Sequence, residues 1–583
     1  MAISPVAITP DWAIVDTETR DLIAEDIDDF TQLLPALFPV DHGSLGQLSP
    51  LSFRGSSPQE TDIWYGPVHL ENPLSSLIST ADVPINLVEE MHIIDAGAFS
   101  HPEVQGPGVG LWIDPYRFEG QRPYSRVDFR AGDWGYSDLG VLFGLPVSRS
   151  LKFMFSGSRQ ELNGFEPERG HAGSRILGNI VFEPHQDFEL NYTVLFNRHE
   201  FEIPAPLLPA FVPWSPGLSR QDKRLDQVVS LKSGRLKTRK KRFQMDLFHS
   251  AITDKSLIDS LSIEPKVNVF GARIQQERIV GKNLLAMGAE LKISDLRSVH
   301  LGNRTDYRFT AYARSEYAYS QNWRAGVRLS IEKQNRFSTA LRSEGHVAYS
   351  PAPGRRIWLG LKRALRYPGF VERYWPQLTF QGNPQLDVEH SSSVELGLSA
   401  QEEGFEIRSV LFASDVSDWI GNNFVAGSGQ FVPENLGSRT VLGYDLKLVW
   451  KYTARGEFGF VHAYRTVPEG GSAKALDVPE FSLYSYLELG GHFFEDYVYI
   501  NLRLIGRVFG ERSGRVFANS ASLPSFARLP EGGVLDGQIS FQFSDARLSI
   551  SMENLFDKRY ELVPGFRMPP KTLRFGISWE FID

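Results

Sequence analysis

The sequence predicts an all-β membrane protein, a 22-stranded antiparallel transmembrane β-barrel preceded by a compact N-terminal α+β domain. Three observations predict it. Apolar and polar residues alternate with period two over stretches close to ten residues long, which is a strand with one apolar face. The connections between these stretches are short and long by turns, as in outer-membrane-type barrels. The composition leaves few other classes. The 583 residues are 42% hydrophobic and 22% charged, and the mean hydropathy is -0.23. That is too polar for a helical membrane bundle, and no run approaches the roughly 18 apolar residues a spanning helix needs. The 40 Phe, 20 Tyr and 11 Trp exclude disorder. Zero Cys excludes a disulfide scaffold or a thiolate metal site. A net charge of -9 disfavours a broad nucleic-acid footprint.

In chain order, residues 1–20 carry no basic n-region and no continuous apolar h-region, so no signal peptide is expected there. Residues 1–120 hold few long alternating runs and several Pro and Gly. The segment from Asp21 to Leu37 reads as a helix start followed by mixed structure. Leu51 to Gly55, Asp62 to Leu70 and Leu87 to Ile94 read as short strands. From about Tyr124 the alternation takes over. Trp323, Ala325, Val327, Leu329 and Ile331 alternate with Arg324, Gly326, Arg328 and Ser330. Tyr444, Leu446, Leu448 and Trp450 alternate with Asp445 and Lys447, and Val498, Ile500, Leu502 and Leu504 with Tyr499, Asn501 and Arg503. Ala546, Leu548, Ile550 and Met552 follow suit, and the last stretch places Leu573, Phe575, Ile577, Trp579 and Phe581 on one face.

Short connections are expected at 146–149, 183–187, 350–355, 401–404, 452–455 and 490–495. Long ones are expected at 200–224, 363–390, 414–438, 466–480, 509–532 and 555–572. Extended over the chain, this rhythm gives about ten short turns, about eleven long loops and about 22 strands. A soluble propeller or sandwich also alternates, but its strands average roughly five or six residues.

Several motifs then align with one family. Gly382-Asn383-Pro384-Gln385-Leu386-Asp387-Val388-Glu389 resembles a Gly-Asn-x-x-Leu-x-Pro-Glu segment entering a strand, with Val388 in place of Pro. Arg363-Ala364-Leu365-Arg366-Tyr367-Pro368 resembles Arg-Ala-Phe-Arg-x-Pro upstream in the same loop. Glu434-Asn435-Leu436-Gly437 followed by Gly443, and Glu553-Asn554-Leu555-Phe556-Asp557-Lys558-Arg559-Tyr560 near the end, match two more. In the N-terminal part, Leu51-Ser52-Phe53-Arg54-Gly55 and Val88-Glu89-Glu90-Met91-His92-Ile93 resemble two plug strands, with His92 where Glu is usual. Trp64-Tyr65-Gly66-Pro67-Val68 stands where Asp-Gly-Val-Pro is usual. By these motifs, in this order and spacing, the chain resembles the TonB-dependent outer-membrane receptors, as a somewhat divergent member.

The resemblance implies a plug domain over 1–120, with a candidate TonB box within 1–17, and a barrel over 121–583 with long extracellular loops. A 22-stranded barrel is too wide to be filled by its own side chains, so the plug is expected inside the lumen. Arg54 is expected to lock the plug by pairing with a barrel-wall Glu. A ligand site is expected where the plug apex meets the long loops, with Trp64 and Tyr65 on the plug, Tyr374 and Trp375 in one loop, and Trp419, Asn422 and Phe424 in the next. Aromatic rings supply broad, stiff contact area and Asn supplies hydrogen bonds.

The implied partners are a TonB-like periplasmic energising protein, outer-membrane lipids and a small-molecule ligand, metal-chelated in the siderophore case. No nucleic acid is expected. The basic run from Lys232 to Arg242 reads as a solvated turn. No Walker A, HExxH or GxSxG motif is present, so no enzyme and no cofactor is expected. The 13 His include no i, i+4 pair, so no metal site is expected either. The leading functional expectation is energised uptake of a bulky scarce nutrient, a ferric siderophore or a corrinoid-like ligand, at the cell outer membrane. The alternatives are a receptor-like barrel serving as a structural or channel subunit of a larger outer-membrane complex, and a soluble β-rich binding protein.

Overall fold

The computed structural model describes residues 24–43, 45–47, 49–94, 109–166, 169–203, 218–258, 261–375, 380–425, 427, 429–453, 455–468, 478–516 and 525–582. The candidate TonB-box region lies outside them. Most of the described chain is one closed antiparallel sheet. Its ring contains 23 hydrogen-bonded segments. One of these, Leu261–Ile263, is a three-residue extension on the strand Lys241–Ile258, which also pairs directly with Lys266–Val280. The barrel proper therefore has 22 strands. The ring closes where the last strand, Thr572–Ile582, pairs with the first, Tyr124–Gly132, in the register Arg574 opposite Gly132 and Ile582 opposite Tyr124.

One end of the barrel carries short turns, at 147–150, 186–187, 281–282, 403–404, 494–497 and 544–545. The other carries long connections, at 204–217, 367–388, 418–438, 467–480, 510–531 and 554–571. That second end is not uniform, since 133–135, 298–303 and 335–339 are tight connections there. The basic run falls in the 234–240 turn at the short-turn end. There Lys232 pairs with Glu189, Arg239 with Asp187 and Arg242 with Glu277.

Period-two alternation separates two environments. On the strand Glu389–Glu402, Val394, Leu396 and Leu398 point outward while Glu395 and Gly397 point into the lumen. Leu396 is 49% exposed and Glu395 is 1% exposed. The same inversion recurs at Val327, Leu329 and Ile331 and at Leu573, Phe575 and Trp579, which all face outward. A water-soluble barrel would reverse this arrangement, and a lipid-facing one requires it. Leu396→Arg, at mid-strand on the outer face, should cost about 2–4 kcal/mol. Loss of the folded, heat-modifiable band on a detergent gel checks this, and Ser399→Arg near the strand end should keep the band.

The N-terminal part forms a separate small α+β body. A short helix, Asp28–Thr31, precedes a two-stranded pair, Leu37–Pro39 with Leu51–Phe53. A four-stranded sheet then runs in the order Val68–His69, Thr61–Tyr65, Val109–Pro115, Val88–Ile94. Ile63, Tyr65, Met91, Ile93, Leu111 and Ile113 form its core with Ile27, Leu34 and Leu51. Lumen-facing Leu142, Leu177, Leu195 and Val228 join the same cluster, which places this body inside the barrel.

Candidate functional site

The plug meets the wall chiefly through arginine. Arg54 ends the strand Leu51–Phe53 in the left-handed region, with φ 50, and Gly55 follows with φ 81. That turn carries the Arg54 side chain out to the wall. Its Nε donates to Asp445 Oδ2 at 2.6 Å and its Nη1 pairs with Glu395 Oε1 at 2.8 Å. All three side chains are at least nine-tenths buried. The two acids come from different wall strands, Glu389–Glu402 and Arg439–Thr453, so one guanidinium ties two staves to the plug.

Other wall arginines donate to plug backbone carbonyls. Arg175 Nε reaches Ala81 O at 2.9 Å, Arg439 Nη2 reaches Gly55 O at 2.9 Å and Arg465 Nη2 reaches Pro35 O at 2.9 Å. Arg224 reaches Glu71 O at 3.0 Å and His69 O at 3.1 Å. Loop carbonyls have no ladder partner of their own, and the guanidinium fork supplies one without an acceptor to satisfy in return. Glu71 reverses the polarity, a plug carboxylate held by Arg308 at 2.9 Å and by Lys292.

The recognisable loop motifs turn out to be staples. Arg366 pairs with Glu389 and, at 2.9 Å, with Glu372, whose carboxylate also accepts the Gly369 N–H at 2.8 Å. This fixes the short helix Phe370–Tyr374, and its first two N–H groups bond Pro73 O at 3.0 Å and Leu74 O at 2.8 Å of the plug. Asn435 accepts the Asp387 N–H at 3.0 Å and donates to Asp418 O at 2.7 Å. Asn554 accepts the Lys558 N–H at 2.9 Å and donates to Lys558 O at 2.8 Å.

The predicted ligand residues fall into three places. Tyr374, Trp375 and Phe424 gather with Phe370, Phe380 and Phe431 over Leu74 of the plug, in one apolar cluster under the long loops. Trp419 sits apart, its Nε1 donating to Ser57 Oγ of the plug at 3.1 Å and its ring 5.4 Å from the Arg439 guanidinium. Asn422 lies in the neighbouring hairpin, opposite Pro433. Trp64 and Tyr65 lie inside the plug, on opposite faces of its sheet. Tyr65 is fully buried, with its hydroxyl on Leu87 O at 3.3 Å. Trp64 stacks on His69 and Trp112, with Arg273 of the wall 5.0 Å away. Adjacent strand residues point to opposite faces, which is why these two do not line one surface.

Two features were not anticipated from the sequence. The Tyr374 ring is surrounded by three guanidinium groups, those of Arg304 at 4.5 Å, Arg373 at 5.0 Å and Arg336 at 5.3 Å. Asp306 pairs with Arg373 and lies 3.9 Å from Arg336, so the group keeps an excess of positive charge at the long-loop end. Arg373 is the chain neighbour of Tyr374, whereas Arg304 and Arg336 lie far from it in the chain and reach the ring only in the fold.

The second is a cavity of about 120 Å³ between plug and wall, lined by Asp26, Asp28, Asp29 and Asp41 of the plug and by Arg507 and Tyr560. Burial pushes the Asp26 carboxyl up to about 8, with repulsion from Asp29 and Asp41 adding to it. Burial also pushes Asp29 and Asp41 up to about 6. A carboxyl raised in the folded state holds its proton more tightly there. The docking it contributes is full below its ordinary value of 3.8 and is lost as pH rises through 6 and then 8. A spin label on Gln32→Cys should therefore gain mobility between pH 5 and pH 8.5, and an unchanged spectrum would contradict this.

Cavity size limits where a bulky ligand sits. Sites for drug-sized molecules run to roughly 300–1,000 Å³. The acidic cavity measures about 120 Å³, and a second, beside Glu71 and Arg366, about 80 Å³. Neither of these two admits a bulky ligand at rest.

Comparison with known proteins follows from this geometry. The family described as TonB dependent receptor-like, beta-barrel matches residues 268–555. No curated protein matches the chain. Among solved structures, the siderophore receptor PirA from Acinetobacter baumannii superposes with a TM-score of 0.79 at 13% identity, covering 97% of each chain. The FrpB iron transporter from Neisseria meningitidis gives 0.78 at 13%, covering 98% of this chain and 99% of that one. The copper transporter OprC gives 0.80 at 14%, covering 96% and 98%. With a closed 22-stranded barrel around an internal plug, the chain has the fold of the TonB-dependent receptors, and over residues 268–555 it carries their β-barrel domain.

Proposed function

We propose that this receptor takes up a bulky, anionic metal chelate of the ferric-siderophore kind, with a TonB-like periplasmic protein supplying the work. The observation that carries the ligand class is the three-guanidinium ring around Tyr374, set among Trp375, Phe424 and Phe431 at the mouth. Cationic forks over stiff aromatic rings suit a large, planar, negatively charged ligand. In this reading Trp419, apart on Ser57 of the plug, and Asn422, in the hairpin that carries Phe424, are separate contacts of the next loop, whereas the buried Trp64 and Tyr65 act on the ligand only after the plug moves. The structural relatives include proteins named as siderophore, iron and copper transporters.

The energised step follows from the wall. A plug held by Arg54, Arg439, Arg465 and Glu71 moves only when several buried charged contacts break together. Strand pairing with a partner below provides a handle for force. Quenching of the intrinsic Trp fluorescence by ferric catecholate or hydroxamate chelates tests the ligand class. Arg336→Gln, at the exposed rim, should weaken binding about fivefold, the equivalent of about 1 kcal/mol for one partly exposed cation. Iron uptake that persists in cells lacking the energising protein, or no pull-down with that protein's C-terminal domain, would move the chain to a structural or channel subunit of a larger complex.

A further inference from the structure

On the far side of the plug from the loops, the strands Val88–Ile94 and Val109–Pro115 pair antiparallel. The register sets Glu90 directly opposite Asp114 and His92 opposite Trp112. Met91, Ile93, Leu111 and Ile113 face the plug core, so Glu90, His92, Trp112 and Asp114 share the other face. The register shifts between Val88 and Glu90. Such bulges re-aim side chains and recur beside functional sites.

Two carboxylates directly opposite each other on paired strands repel, and such a pair is ordinarily destabilising. Here both converge on one imidazole nitrogen. His92 Nε2 lies 2.9 Å from Asp114 Oδ2 and 3.3 Å from Glu90 Oε2. A ring nitrogen carries at most one proton, which two carboxylates then share. One donor atom from each residue lies within 4.8 Å of the others. Trp112 Nε1 donates to the other Asp114 oxygen at 2.8 Å and fixes that carboxylate's direction, as groups behind metal ligands do. The His92 side chain is buried, while those of Glu90 and Asp114 are 46% and 39% exposed, so the face is open to solvent on one side.

We propose that Glu90, His92 and Asp114 form a binding site for a borderline divalent metal ion, with Zn²⁺ as its representative. One imidazole nitrogen and two carboxylate oxygens, with a fourth position open to water, is a donor set that suits such ions. Ligand bonds of about 2.0–2.1 Å in a tetrahedron place donors about 3.3 Å apart. The two spacings from His92 differ from that by a few tenths of an ångström and the two carboxylate oxygens lie within 4.8 Å of each other, so a cation replaces the shared proton once the acids draw together. It also cancels the repulsion between the facing acids. The strand Val109–Pro115 leads on to Glu119, whose carbonyl accepts a bond from Lys152 at 3.0 Å beside the 147–150 turn. The site therefore opens at the short-turn end, remote from the Tyr374 cluster, and is independent of the ligand proposed above. Spacing along the chain does not reveal it, because the ligands meet across two strands.

The test uses the full-length, untagged protein in detergent and competition for Zn²⁺ with a chromogenic chelator. The wild type should hold one more equivalent of Zn²⁺ than His92→Asn. Glu90→Gln should bind at least tenfold more weakly, and Trp112→Phe about tenfold more weakly. Glu90 is half exposed and outside the plug core, so Glu90→Gln keeps the test decisive should His92→Asn misfold. Heat-modifiable mobility reports folding for each variant. Equal Zn²⁺ stoichiometry and affinity in wild type and Glu90→Gln, or no Zn²⁺ bound by the wild type at micromolar concentration, overturns the proposal.

Discussion

Arg54→Ala should loosen the plug by about 3–5 kcal/mol, because it removes the guanidinium that bridges Glu395 and Asp445 in a buried site. The loss comes mainly from the weaker compensation of two buried acids and only secondarily from lost contacts. The pair of substitutions Glu395→Gln and Asp445→Asn should therefore restore much of the docking in the Arg54→Ala background. The chain has no Cys, so a single Ser52→Cys in the buried plug strand gives a clean reporter. The urea concentration at which this thiol becomes accessible should fall by about 1 M or more in Arg54→Ala, given slopes of about 1–3 kcal/mol/M. An unchanged midpoint would show that the ion pair adds nothing to plug docking.

Removing residues 1–120 should convert a closed barrel into an open one. The full chain in a planar bilayer is expected to pass almost no current, since the plug fills the lumen and wall arginines hold its carbonyls from several sides. The barrel alone should give steps larger than those of a 16-stranded porin in the same salt, because lumen width grows with strand number. Current from the full chain equal to that of the truncated one would mean that the plug does not seal the lumen.

The barrel was legible in the sequence because lipid writes a local rule. Leu573, Phe575, Ile577 and Trp579 face outward together whatever their neighbours in the ring are, so two-residue periodicity is enough to find them. The strand number followed from counting turns, and the motif asparagines follow from local chemistry: Asn435 and Asn554 each hold their own loop. What depends on register was not legible. Arg304 and Arg336 meet Tyr374 only after strands are paired and the loop is folded back onto Leu74. Glu90 and Asp114 meet across a strand pair that includes a bulge. Trp64 and Tyr65 read as ligand contacts on the plug, yet the plug sheet buries one on each face. The four aspartates of the acidic cavity belong to no motif, and only the wall encloses them.

The membrane-spanning barrel is the claim on which the rest depends, and the strand Glu389–Glu402 tests it most directly. Single cysteines at 394, 395, 396, 397 and 398, each spin-labelled in lipid bilayers, report access to dissolved oxygen and to a water-soluble nickel chelate. Positions 394, 396 and 398 should be oxygen-accessible and chelate-protected, and 395 and 397 should be protected from oxygen. Equal chelate access along all five positions, or alternation with the opposite phase, would contradict the barrel in the membrane and the receptor built on it.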